Sequence, residues 1–252
     1  MSSTEAVPRA LARMVLACLA ALPLAATTVA QERPNVILVM SDDLGWGDVG
    51  FNGSDTARTP NLDEMAANAL RFTRFYAAAP VCSPTRGSAL TGRHPYRYSV
   101  FFANTGHMKE EEVTLAEALG ARGYATGFFG KWHLGTLTKE VEDANRGGPG
   151  GAEHYSTPRM NGFDVSFATE SKVPTWDPMR VPDRFGPGQS LRYGWLPVRD
   201  PAEARHYGTR YWDGEGQEVT EDLRGDDSRV IMDRALPFVR SSRGEDYGRE
   251  AS

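Results

Sequence analysis

Apolar residues along the chain fall into short runs whose periods differ, and the differences predict the elements. Asn35 to Met40 reads N-V-I-L-V-M, unalternating and β-branched, with Pro34 before it and Ser41-Asp42-Asp43 after it. Such a run predicts a strand covered on both faces, as in a parallel sheet, with the aspartates at its carboxyl end, where open α/β sheets bind ligands. Thr59-Pro60-Asn61 opens a helix to about Leu70, with Leu62, Met65, Ala66 and Ala69 on one face. Leu70 to Tyr76 is expected to be a second short strand. Beyond Cys82, Pro84 suits the first turn of another helix, which Gly92 closes in the left-handed conformation. Thr114 and Glu117 have capping-box spacing ahead of Leu115, Ala118 and Leu119, with Gly123 as the stop. Tyr124 to Phe129 is the next strand candidate, and this rhythm of strand and helix predicts an α/β domain with a mainly parallel sheet.

From about Glu140 to Glu218, Gly, Pro, Arg and Trp interrupt every apolar run, so long surface loops are expected there. Loops of this length are commonly functional, and Trp176, Arg180, Trp195 and His206 are candidates to frame a substrate pocket. Asp226 or Asp227 caps a last helix through Val230, Ile231, Ala235 and Phe238, and Ser241 to Ser252 is polar and expected to fray.

The first thirty residues change the picture of where the protein works. Arg9 and Arg13 precede an apolar run from Met14 to Ala26, and Thr28-Val29-Ala30 places small residues at signal-cleavage spacing, so residues 1–30 read as a signal peptide and the mature chain starts near Gln31. The run is short for a bilayer span, which takes roughly 20 apolar residues, so export to the periplasm or the exterior without a stable membrane anchor is expected. An uncleaved anchor, or a lipid on Cys18, are the alternatives. Removal of residues 1–30 leaves Cys82 as the sole thiol in an oxidising compartment, which points to a reactive, modified or intermolecularly paired residue; a small buried hydrophobe is the plainer reading. The 252 residues, 40% hydrophobic and 24% charged, have ordinary globular usage, and a formal charge of -5 without a clustered basic stretch argues against a nucleic-acid partner.

Several residues carry possible chemistry, each with an ordinary alternative. Asp42 and Asp43 are hard oxygen ligands suited to Ca²⁺ or Mg²⁺, although adjacent aspartates also occur in turns and caps. Arg86 lies one helical turn after Cys82 and can return toward it, or form a surface ion pair. Lys131 and His133 are two apart, so an extended segment points both to one side and Trp132 to the other. Asp48 and Asp63 are most simply a loop and a helix-surface residue, and His107 and His206 belong to no motif.

Taken together, three separated motifs resemble the sulfatase family. Cys82-Ser83-Pro84-Thr85-Arg86-Gly87 matches its C-x-P-x-R signature, Gly123 to His133 its second signature, and Pro34 to Gly47 its opening strand with paired metal-binding aspartates. The resemblance implies an alkaline-phosphatase-like three-layer α/β sandwich, of which Gln31 to Ser252 is the N-terminal portion of the catalytic domain, incomplete at the C-terminus. It implies that a formylglycine-generating enzyme oxidises Cys82 to formylglycine, whose hydrate is the nucleophile. It further implies that Asp42, Asp43 and residue 82 bind Ca²⁺ or Mg²⁺, and that Arg86, Lys131 and His133 complete the site with Cys82. The substrate would be an aryl or carbohydrate sulfate. The family's Asp-Asn pair, which closes the metal site, has no counterpart here, so a truncated chain with uncertain turnover is expected. Phosphate or phosphonate ester hydrolysis on the same fold, and a non-catalytic remnant, are the other readings.

Overall fold

The computed structural model describes residues 34–190 and 193–241, and two units separate between Ser41 and Asp42. The segment expected to be a signal peptide, Cys18 and the polar tail beyond Ser241 lie outside the described residues. Of the first unit, residues 34–41 form neither helix nor strand, and Val39 is 83% exposed. This corrects the strand expected over Asn35 to Met40. An apolar, β-branched run becomes a strand only when a neighbour accepts and donates its ladder of backbone bonds, and no strand pairs with it among the described residues.

The second unit opens with 3-10 turns at Trp46–Asp48 and Gly50–Asn52, followed by helix α1, Pro60–Asn68. Asp63 is more than a helix-surface residue: it accepts from Phe51 N at 2.7 Å and from the Thr59 hydroxyl at 3.0 Å, pinning the second turn to α1. The expected apolar face of α1 is not buried, and the strand expected over Leu70 to Tyr76 is absent, with Phe75 83% exposed. Helix α2, Cys82–Thr91, ends as expected at Gly92 in the left-handed conformation with φ 65°. A short turn of helix, α3, spans Pro95–Tyr98, and α4, Leu115–Gly120, carries the predicted capping box between Thr114 and Glu117.

Strand β1, Gly127–Lys131, begins three residues later than the sequence pattern suggested. It pairs in parallel with β2, Val165–Thr169, inside the segment read from sequence as loop. The same segment holds a two-stranded ribbon, β3 (Phe185–Ser190) with β4 (Tyr193–Trp195), and strand β5, Tyr211–Asp213. Strand β6, Glu218–Val219, completes a mixed sheet in the order β1-β2-β5-β6, in which β5 runs antiparallel to both neighbours. The last helix, α5, spans Asp227–Arg240 with Asp226 as its cap, accepting from Arg229 N.

Period-two alternation sorts the strand residues into two cores. Phe128, Ala168 and Trp212 face one side, where they meet Tyr98, Val100, Met108, Trp132, Leu134 and Leu137. Phe129, Phe167 and Tyr211 face the other, with Met179, Leu223, Val230 and Ile231, and Phe129 meets Phe238 of α5 at a ring separation of 5.7 Å. The sheet is therefore a middle layer between α5 and the segments that flank β1 in sequence. Gly127 permits this approach, because a Cβ there would sit 2.8 Å from the Phe238 ring.

Buried charge knits the long segment to the sheet. Asp143, 3% exposed, accepts from Arg210 N at 2.8 Å and Trp212 Nε1 at 2.7 Å. Burial nevertheless dominates and raises its carboxyl to about 6. The folded chain then holds a proton that the unfolded chain releases near 4, so this contribution is complete at low pH and is lost as pH rises through about 6. Across pH 4 to 7 the wild type should lose on the order of 3 kcal/mol relative to Asp143→Asn, measured by urea denaturation of both proteins. Parallel pH profiles of the two proteins would contradict this.

Candidate active site

Cys82 is the first residue of α2, placed by the extended backbone of Val81, so its own N–H and that of Ser83 have no carbonyl of the helix to bond, while Pro84 carries no N–H at all. The preceding loop is tied down by Thr85, whose hydroxyl donates to Ala79 O at 2.7 Å. On the inner side of α2, Gly87 admits the buried Tyr98 ring, which a Cβ would meet at 2.6 Å, and the Tyr98 hydroxyl donates to Pro84 O. The helix start is thus fixed against the core, and Cys82 is half-buried with a free thiol.

Strand β1 ends at Lys131, whose ammonium donates to Asp42 Oδ2 at 2.9 Å and to Cys82 Sγ at 3.3 Å. Arg86, on the same helix as Cys82, reaches Asp42 Oδ1 at 3.1 Å and Lys131 O at 2.5 Å. Two cations therefore hold one carboxylate in orientation beside the thiol. Partial burial pushes the Asp42 carboxyl up, but the bonds and charges of Lys131 and Arg86 outweigh that and hold it below its ordinary value.

Asp43 adopts φ 55°, a left-handed backbone that non-glycine residues adopt at a cost of order 1 kcal/mol or more. Ligand atoms of Asp42, Asp43 and Cys82 all lie within 4.8 Å of one another. Two oxygens on one Ca²⁺, each about 2.4 Å away, are at most about 5 Å apart, so the spacing fits a shared cation. The donors fit it too once an oxygen replaces the sulfur of residue 82, since both carboxylates are hard ligands. These three supply fewer donors than the 6 to 8 oxygens Ca²⁺ takes, and among the described residues no fourth His, Cys, Asp or Glu joins the group.

His133 follows β1 but does not continue the extended run expected for it: its φ is 55°. The expected sidedness holds for Trp132, which is fully buried in the core and donates to Ser156 O at 2.7 Å. His133 is also buried, its Nε2 lies 2.7 Å from Asn104 Oδ1, and its Nδ1 is buried with no partner. Burial first, and then the charges of Lys131, Arg146 and Arg86, lower its pKa to about 3, so the ring is neutral at physiological pH.

Asn104, Asn145, Arg146 and Glu170 stand around His133 and were not singled out from sequence. They sit in loops with no periodic pattern and form a network only through long-range bonds. Left-handed non-glycine residues cluster here: Asp43, Asn104 and His133 all have φ between 55° and 61°. Of the loop residues proposed to frame a pocket, Arg180 and His206 line a cavity of about 350 Å³ with Asp177, Glu218, Asp222 and Arg224. Trp176 does not line that cavity, and neither do Cys82, Arg86, Lys131 and His133.

Comparison with known proteins places this arrangement. Human arylsulfatase D is 40% identical over 162 residues, covering 60% of this chain and 26% of the relative, and human arylsulfatase A is 48% identical over 119 residues, covering 45% and 24%. The chain thus spans about a quarter of the length of these relatives. Among solved structures, the crystal structure of Ps i-CgsB superposes with a TM-score of 0.59 at 28% identity, over 82% of this chain and 41% of that one. This structural neighbour shares the alkaline-phosphatase-like α/β fold. The sulfatase family model matches residues 34–241, and so the chain belongs to the sulfatase family.

Proposed function

We propose that the protein hydrolyses sulfate esters at the Cys82 cluster, with residue 82 acting as formylglycine. The observation that carries this reading is the convergence of Lys131 and Arg86 on Asp42 beside the Cys82 thiol at the start of a helix. An anionic ester entering there meets two fixed cations and the start of a helix whose dipole favours negative charge, an environment that suits a tetrahedral oxyanion.

The hydrated aldehyde at position 82 would supply one hydroxyl to attack sulfur and a second whose deprotonation expels sulfate. A divalent cation held by Asp42, Asp43 and residue 82 would supply Lewis acidity toward a sulfate oxygen. Lys131, in reach of both position 82 and Asp42, keeps the nucleophile oriented and offers its ammonium to the ester. Arg86 fixes the Asp42 carboxylate and, through its bond to Lys131 O, the end of β1. Neutral His133 has a bare ring nitrogen, and with its pKa lowered to about 3 that nitrogen serves as a hydrogen-bond acceptor rather than as a strong base near neutral pH.

The substrate is proposed to be an aryl or carbohydrate sulfate. Ps i-CgsB has also been solved in complex with k-i-k-neocarrahexaose, and that structure superposes on this chain with a TM-score of 0.55 at 27% identity, which supports a carbohydrate. Export with cleavage near Gln31 is part of the proposal, and N-terminal sequencing that finds Met1 retained would refute it.

Mass spectrometry of the peptide spanning Val81 to Arg86, from protein made alongside a formylglycine-generating enzyme, tests the nucleophile directly. Loss of sulfur and gain of oxygen at Cys82 is expected, and an unchanged cysteine would overturn the assignment. For the cation, Asp42→Ala and Asp43→Ala should each lower Ca²⁺ or Mg²⁺ affinity by roughly 10-fold or more, read by calorimetric titration of the matured chain. Unchanged affinity in either variant would return that aspartate to the status of a turn residue.

A further inference from the structure

His133 is buried on a left-handed backbone, and one of its two ring nitrogens has a partner. That partner is itself held. Asn104 Oδ1, 2.7 Å from His133 Nε2, also accepts from Asn145 Nδ2 at 3.2 Å, and the same Asn145 amide donates to Ser171 Oγ at 3.0 Å. The backbone of Asn145 is fixed by Glu170, which is wholly buried and accepts from Asn145 N at 3.1 Å, Arg146 N at 3.3 Å and Arg146 Nε at 3.0 Å. Arg146 also donates to Gly106 O, two residues beyond Asn104, so one buried ion pair secures both loops that meet at the histidine. Asn104 has φ 61°, a conformation that Asn tolerates better than most side chains.

From this geometry we infer that Asn104 is a positioning residue: its side-chain oxygen, oriented by Asn145, holds His133 with the proton on Nε2 and leaves Nδ1 as a bare acceptor. The inference rests on the reading of the Cys82 cluster as a sulfate-ester site, in which His133 works on the reacting group. The reasoning is a matter of donors and acceptors. A neutral imidazole has one of each, and which nitrogen carries the proton is set by the bond the other atoms offer. With the proton on Nδ1 instead, His133 would bury an N–H donor with no acceptor, a rare and costly arrangement. Asn104 would then have to turn its NH₂ toward Nε2, and so also toward the NH₂ of Asn145, unless the whole chain through Ser171 reversed.

The test is ¹⁵N NMR of the chain with labelled histidines at pH 8, His133 being identified among the five histidines by the signals lost in His133→Gln. The expected pattern is a protonated, pyrrole-type Nε2 and a bare, pyridine-type Nδ1. Asn104→Ala should bring the two signals together as the tautomer ratio falls by roughly fivefold or more, whereas Asn104→Asp, which still accepts, should restore the original pattern. Asn145→Ala, which leaves Asn104 in place but frees its amide to turn, should give an intermediate ratio. A proton found on Nδ1 in the unmutated chain would overturn the inference without recourse to any variant, and so would an unchanged ratio in a folded Asn104→Ala protein. Because no substrate enters the measurement, failure of sulfate-ester turnover would count against the functional reading and leave the tautomer assignment standing.

Discussion

Cys82→Ser should abolish multiple turnover of an aryl sulfate while leaving, at most, one covalently bound sulfate per chain, and Cys82→Ala should remove even that. Serine retains a hydroxyl able to attack sulfur, yet lacks the second hydroxyl through which an aldehyde hydrate releases the product. The loss expected is roughly 10⁴-fold or more, the scale seen when a covalent nucleophile is deleted from a group that acts as a unit. It is measured against protein matured with a formylglycine-generating enzyme, by sulfate release and by intact mass. Sustained turnover by the serine variant would show that water releases the product, and would move the chain toward the phosphate or phosphonate reading.

The largest effect on stability is expected at the Arg146–Glu170 pair, whose side chains are 7% and 0% exposed. Glu170→Leu strands the Arg146 guanidinium and removes the acceptor of two backbone N–H groups, those of Asn145 and Arg146. Breaking one partner of a buried pair costs about 3–5 kcal/mol, and in a domain of this size that lowers Tm by roughly 10 °C. Adding Arg146→Met to Glu170→Leu should return part of the loss, because the uncompensated charge is gone even though the backbone donors stay unpaired. Calorimetry on the single and double variants reads this directly. A Glu170→Leu protein as stable as the parent would mean that solvent reaches the pair. Loss of the pair should also loosen both loops around His133, since Arg146 joins them through Gly106 O.

Two of the pH effects in the fold have opposite signs. Asp143, raised to about 6, favours folding at low pH, whereas His133, lowered to about 3, adds stability above its ordinary value near 6.5 that is lost as pH falls toward 3. Between pH 4 and 6 the two oppose each other, so the comparison of Asp143→Asn with its parent isolates a slope that the parent's own profile conceals.

What the sequence determined by itself is local. The left-handed stop at Gly92, the capping box of Thr114 and Glu117 and the Asp226 cap of α5 depend on residues a few positions apart, so their chemistry is legible in the chain. The motifs around Asp42, Cys82 and Lys131 pointed to the family that the comparisons show, and the fold brings those three side chains into contact. Tertiary structure alone decided the pairings. Asn35 to Met40 and Leu70 to Tyr76 have the composition of strands but no ladder, while Val165–Thr169, buried in what reads as loop, is the strand on which β1 builds. A strand's hydrogen bonds are made with residues distant in sequence, so apolar content states a demand that only the fold can meet. The same reason hid Asn104, Asn145 and Glu170: their bonds span 29, 41 and 25 residues, and no local pattern encodes a contact across such distances.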